Sequence, residues 1–153
     1  MAKFVYRMQS ILDLKVKLEE QEKNNFALAN AALLEEQKKL EQLVIRRSKY
    51  ESAARDLRRG TIHIKDLESN RKAIEAMKVL IRAQLLSVQK AQRNADAARR
   101  KLTEVMKERK MQEKLREKAF EQFKAELAYD ENKAVDELVS YTYHNGEEEW
   151  QTN

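Results

Sequence analysis

The two histidines of this sequence, His63 and His144, are the side chains best suited to move a proton, and they lie in opposite halves of the chain. Acid–base or nucleophilic catalysis needs such a group beside a nucleophile and an orienting partner, and neither histidine has that company in its local sequence. The chain has no cysteine, which removes thiolate nucleophiles, disulfides and thiolate metal sites. Its two glycines are far apart, so no glycine-rich loop can cradle a phosphate. The chain is therefore read as a non-enzyme with no metal and no cofactor, and both histidines as surface residues.

The remaining chemistry is charge. Net charge is +5, but residues 1–70 carry +3, residues 71–118 carry +9 and residues 119–153 carry −7. The basic middle holds Arg99-Arg100-Lys101 with Lys107, Arg109 and Lys110, enough cation density to attract nucleic-acid phosphates. No aromatic residue stands in 71–118 to stack a base, so nucleic-acid binding is kept as an alternative, and the basic middle with its acidic end suggests steering toward an acidic partner surface or self-shielding.

Long helices must position these charges. With 37% charged and 7% aromatic residues, no proline and only two glycines, the composition is that of solvated helix and not of a thick layered core. No apolar run approaches the ~20 residues needed to span a bilayer, and no signal-peptide core follows Met1, so a cytoplasmic protein without a transmembrane segment is expected.

Heptad spacing sets the arrangement. Phe4, Met8, Ile11, Lys15 and Leu18 step by four and three, and after a register slip the pattern resumes at Phe26, Ala29, Leu33, Glu36, Leu40, Leu43, Arg47, Tyr50, Ala54 and Leu57. A second series runs Ile64, Leu67, Arg71, Ile74, Lys78, Ile81, Leu85, Val88, Gln92, Ala95, Arg99, Leu102 and Met106, then returns at Phe120, Phe123 and Leu127. Between the series lies Gly60, the one residue able to take φ > 0 without steric cost, so the chain is expected to reverse there.

The expected fold is all-α, an antiparallel coiled-coil hairpin over residues 1–144. It has helix 1 at about residues 3–58, a turn at about 59–65 and helix 2 at about 66–141; residues 145–153, opened by Asn145-Gly146 and holding Trp150, form a disordered acidic tail. A continuous parallel dimer is the competing arrangement. The arms are unequal, so Phe120, Phe123, Leu127 and Val135 are expected to protrude as a lone helix unless the N-terminal residues fold over them.

Three stretches carry a resemblance: the start Lys3-Phe4-Val5-Tyr6-Arg7-Met8-Gln9-Ser10-Ile11-Leu12, the hairpin glycine followed by Leu67, Ile74 and Met77, and the ending Lys133-Ala134-Val135-Asp136-Glu137-Leu138. Over most of residues 1–142 the chain resembles the FliJ family, the small coiled-coil component of flagellar type III protein export. The resemblance implies a hairpin similar to the central stalk of rotary ATP synthases, with a chaperone-escort role, at the cytoplasmic face of the cell membrane. Its implied partners are the hexameric export ATPase FliI, the cytoplasmic domain of the export-gate protein FlhA, and export chaperones. Carried onto this sequence, the ATPase-ring contact falls on Phe4, Met8, Ile11, Phe120, Phe123, Leu127, Asp136 and Glu137, and the gate contact on Leu43, Tyr50, Ala73, Met77 and Leu80. Ala73, Met77 and Leu80, off the heptad series, are the gate residues expected to be free of packing duty. A stalk of a virulence-type secretion system would share fold and charge and is the nearest alternative.

Overall fold

A computed structural model describes residues 2–151, without the side chains of residues 148–151. Two helices account for nearly all of it, α1 at Gln9–Leu57 and α2 at Ile64–Gln151, and no strand occurs among the described residues. They pack antiparallel, as a coiled-coil hairpin. The chain divides into a turn unit, Leu18–Val105, and an end unit formed by the residues up to Lys17 with those from Met106 on.

In the turn unit the reversal follows from backbone chemistry. The last turn of α1 tightens, with Arg58 N donating to Arg55 O at 3.3 Å and Arg59 N to Asp56 O at 3.1 Å. Gly60 then takes φ +75°, the left-handed conformation that closes a helix C-terminus. His63 O accepts the Leu67 N–H at 3.2 Å as α2 begins, and Asp66 in the first turn complements the positive end of the helix dipole.

Along α1, Phe26, Ala29, Leu33, Glu36, Leu40, Leu43, Arg47, Tyr50, Ala54 and Leu57 are the covered positions, as their spacing requires. The seam of α2 differs from the sequence reading. Leu67, Ile74, Ile81, Val88, Ala95 and Leu102 are covered, and their alternate partners are Asn70, Met77, Gln84, Ala91, Ala98 and Val105; of the expected partners one residue later, Lys78 and Met106 are half-buried, whereas Arg71, Leu85, Gln92 and Arg99 are exposed. The cause is polarity: the expected set would bury two arginines and a lysine, whereas the observed set places small apolar residues and neutral amides between the helices. Met77, expected off the seam, is buried with 7% of its surface exposed.

The densest packing is Leu33 against Ala91 and Ala95, flanked by Ala29 and Val88, where small side chains let the backbones approach. Two seam amides find partners across the interface. Asn70 Nδ2 donates to Tyr50 O at 3.1 Å, and Gln84 Nε2 donates to Glu36 O at 2.9 Å and to the Glu36 carboxylate. The Gln84 amide, with smaller help from Lys39, holds the Glu36 carboxyl below its ordinary range against an opposing desolvation effect.

Three boundaries differ from the sequence reading. First, α1 starts at Gln9 and not near residue 3: the preceding residues are not helical, and Arg7-Met8 form a turn in which Gln9 N donates to Tyr6 O at 3.1 Å. Second, the slip after Leu18 is absent: Leu12, Lys15, Glu19, Glu22 and Phe26 are covered at spacings of three and four, with Leu12 and Glu19 buried, while Met8 and Ile11 are exposed. Third, α2 passes through Asn145-Gly146 to Gln151, since Gly146 keeps a negative φ. Glycine in a helix interior costs about 1 kcal/mol and does not oblige a stop. The side chain of Trp150 lies outside the described residues.

A Cβ added at Gly60 would meet no atom within 4 Å, so only backbone strain opposes substitution. Gly60→Ala is expected to lower unfolding free energy by about 1 kcal/mol and Gly60→Asn by less, because asparagine tolerates the left-handed region. Thermal denaturation followed by circular dichroism checks this; equal stability of all three proteins would remove Gly60 from the reversal.

Candidate functional site

The end unit is assembled by an extended N-terminal strap. Alternate residues of Phe4-Val5-Tyr6 point opposite ways: Phe4 is half-buried, Tyr6 is buried, and Val5 between them is 78% exposed. Phe4 meets Phe120 edge-on, with centroids 5.1 Å apart and planes at 63°, and Phe123 at 5.5 Å and 50°. The Arg116 guanidinium sits 5.8 Å from the centre of the Phe4 ring, and Lys124 sits 4.7 Å over Phe120. Tyr6 donates its hydroxyl to Gln112 Oε1 at 2.9 Å.

Below the strap, Arg116 Nε donates to Gln9 Oε1 at 3.0 Å, and Lys15 pairs with Glu108 at 2.6 Å. These contacts fix α1 on α2 at one register. They carry no reactive group, and no cluster of three potential metal ligands occurs among the described residues. No helix is long and apolar enough to cross a membrane, and both histidines are exposed.

Of the residues expected at the ATPase ring, the structure brings Phe4, Phe120 and Phe123 into one aromatic cluster, with Leu127 half-buried beyond it. Of the part of α2 expected to protrude, the strap thus meets Phe120 and Phe123, while Val135 stays exposed. Met8 and Ile11 stay on the surface. Asp136 and Glu137 belong to a different region: from residue 128 to residue 145 every side chain is exposed, although Tyr129, Val135, Leu138, Val139, Tyr141 and Tyr143 lie there. Tyr6 and Gln112, which hold the strap, escape heptad reasoning because an extended segment has a period of two; the Phe-Val-Tyr run, rich in strand-favouring residues, is the available signal.

Of the residues expected at the export gate, Leu43 and Tyr50 are half-buried in the seam and Ala73 is half-buried beside it. Met77 is a core residue and is withdrawn as a surface candidate. Leu80 is exposed, with the exposed Val79 and Leu86 nearby on the outer side of α2.

Compared with known proteins, the chain matches the family described as the flagellar FliJ protein over residues 4–148. No curated protein and no solved structure matches it.

The strap depends on Phe4. Phe4→Ala is expected to cost about 2 kcal/mol of local stability and to speed amide exchange at residues 4–8 while leaving residues 88–95 in the seam unchanged. Exchange rates unaltered at residues 4–8 would show that the strap is held by something else.

Proposed function

We propose, for a chain that belongs to the flagellar FliJ family and so serves flagellar protein export, that it works without catalysis as the stalk of the export apparatus. In this reading the end unit enters the hexameric ring of the export ATPase FliI, the turn unit meets the cytoplasmic domain of FlhA, and export chaperones are escorted on the hairpin. The protein then works in the cytoplasm, peripheral to the membrane. The observation that carries the reading is the bare length of α2 over residues 128–145, a single helix with six large apolar side chains and nothing covering them. A lone amphipathic helix is marginal in water and gains stability from a partner groove.

Within the ring, Val135, Leu138 and Val139 supply apolar contact, and Asp136 and Glu137 on the same exposed length face polar loops of the bore. Phe4, Phe120 and Phe123 stiffen the base of this length, with Met8, Ile11 and Leu127 as surface or half-covered neighbours. The gate contact falls on Leu43, Tyr50, Ala73 and Leu80 in the turn unit.

Val135→Gln with Leu138→Gln removes apolar surface that is exposed among the described residues. Burying one such side chain contributes about 1.5 to 3 kcal/mol, so the double variant should bind the ATPase ring at least roughly tenfold more weakly and stimulate its ATP hydrolysis correspondingly less. Full stimulation by a variant of unchanged helicity would overturn ring entry through this length of α2.

A further inference from the structure

We infer that one flank of the helix pair in the end unit docks an acidic amphipathic helix of a partner protein, seated as a third helix beside α1 and α2. The surface is separate from the bare length of α2 over residues 128–145, and docking there does not depend on the stalk reading.

The two flanks of the pair differ in kind. On one, Gln9, Asp13 and Val16 of α1 line a cleft with Glu113, Arg116 and Glu117 of α2, so the positions beside the seam are mostly polar, as a two-stranded coil in water requires. On the other, Ile11 of α1 and Leu115 of α2 stand next to the seam, with Leu14 and Met111 one step further out, and all four are exposed. The contacts of Tyr6 with Gln112 and of Lys15 with Glu108 set these two short rows at one level of the pair. Apolar side chains three or four residues apart on both helices, on one flank only, are what a third helix meets when its own apolar row interdigitates with two others.

Cations ring this patch. Lys107 lies four residues before Met111, Lys114 three after it, Lys118 three after Leu115 and Lys17 three after Leu14, so each is one helical turn from an apolar member, and each is exposed. Among the described residues none of the four lysines makes an ion pair, and the carboxylate on this flank, that of Glu108, is already held by Lys15 at 2.6 Å.

The charges select the occupant. A second copy presenting the same flank would set lysine against lysine. A nucleic acid would meet the cations and leave the four apolar side chains in water. An amphipathic helix whose apolar row is edged by Asp or Glu satisfies both, because lysine stems lie along apolar surface while their ammonium groups reach the carboxylates. From Lys107 to Lys118 is ~16 Å, so about three turns of such a helix span the site.

Fluorescence anisotropy with the full chain tests this. The probe is a synthetic peptide of three heptads with leucine at a and d, glutamate at e and g and alanine elsewhere; the control peptide has lysine at e and g. The acidic peptide is expected to bind at about 100 mM salt and roughly tenfold more weakly at about 500 mM, and the basic one not to bind. On titration the methyl resonances of Ile11, Leu14, Met111 and Leu115 should shift, while those of Leu33 and Val88 stay in place. Lys107→Glu with Lys114→Glu and Lys118→Glu, and separately Leu14→Gln with Met111→Gln, should each weaken binding roughly tenfold or more at unchanged helicity, whereas Val16→Gln on the other flank should not. No binding of the acidic peptide at about 100 μM, equal binding of the basic one, or shifts confined to residues 128–145 would overturn the inference. Shifts of the four methyls with protein concentration alone, or on adding a DNA duplex or phosphatidylserine vesicles but not the acidic peptide, would overturn it too. Those results would assign the flank to a second copy, a nucleic acid or a lipid surface respectively.

Discussion

The narrow seam between α1 and α2 is the constraint on which the rest depends. A two-helix coiled coil covers about two positions in seven and leaves the other five in water. Only six apolar residues are buried among the described ones, and none of the large side chains described is fully enclosed. Specificity of register therefore falls to polar contacts. Asn70 to Tyr50 O and Gln84 to Glu36 each satisfy an amide that a shifted register would strand. The Glu36 carboxyl, held below its usual range, adds stability that is fully present above the ordinary glutamate pKa and is lost as pH falls through the lowered value.

The sequence reveals this seam unevenly, and the reason is physical. In α1 from Phe26 to Leu57 the apolar residues are large and their spacing is unambiguous. In α2 the large residues mislead: Leu85 and Met106 stand one position after Gln84 and Val105, and weighting by size favours the series that also contains Arg71, Lys78 and Arg99. Counting charges instead of apolar volume selects the observed series, because an amide or an alanine costs less between helices than a guanidinium. The same substitution of criteria moves Met77 from surface candidate to core. Gly60 was legible because the left-handed region has few occupants; Gly146 was misread because glycine permits that region without requiring it.

The N-terminal strap shows what heptad reasoning leaves out. Phe4 and Tyr6 fit a helical series as well as they fit an extended one, and the choice is made by what faces them. Phe120 and Phe123 offer two aromatic edges, and Gln112 offers an acceptor for the Tyr6 hydroxyl. Starting α1 at residue 3 would forfeit these contacts in return for one and a half turns of helix whose Val5 and Arg7 have nothing to pack on. Tertiary contact thus overrides local periodicity where the two disagree.

The bare length of α2 is a consequence of the same geometry. No residue between Gly60 and Gly146 is glycine or proline, and no described residue apart from Gly60 has positive φ, so α2 has no hinge on which its acidic end could fold back onto its basic residues. Within the end unit, the basic residues 106–118 and the acidic residues from 119 on follow one another along one continuous helix. Among the described residues, nothing covers the large apolar side chains over residues 128–145. Rigidity enforced along one helix is what lets the chain present two opposite electrostatic surfaces at once.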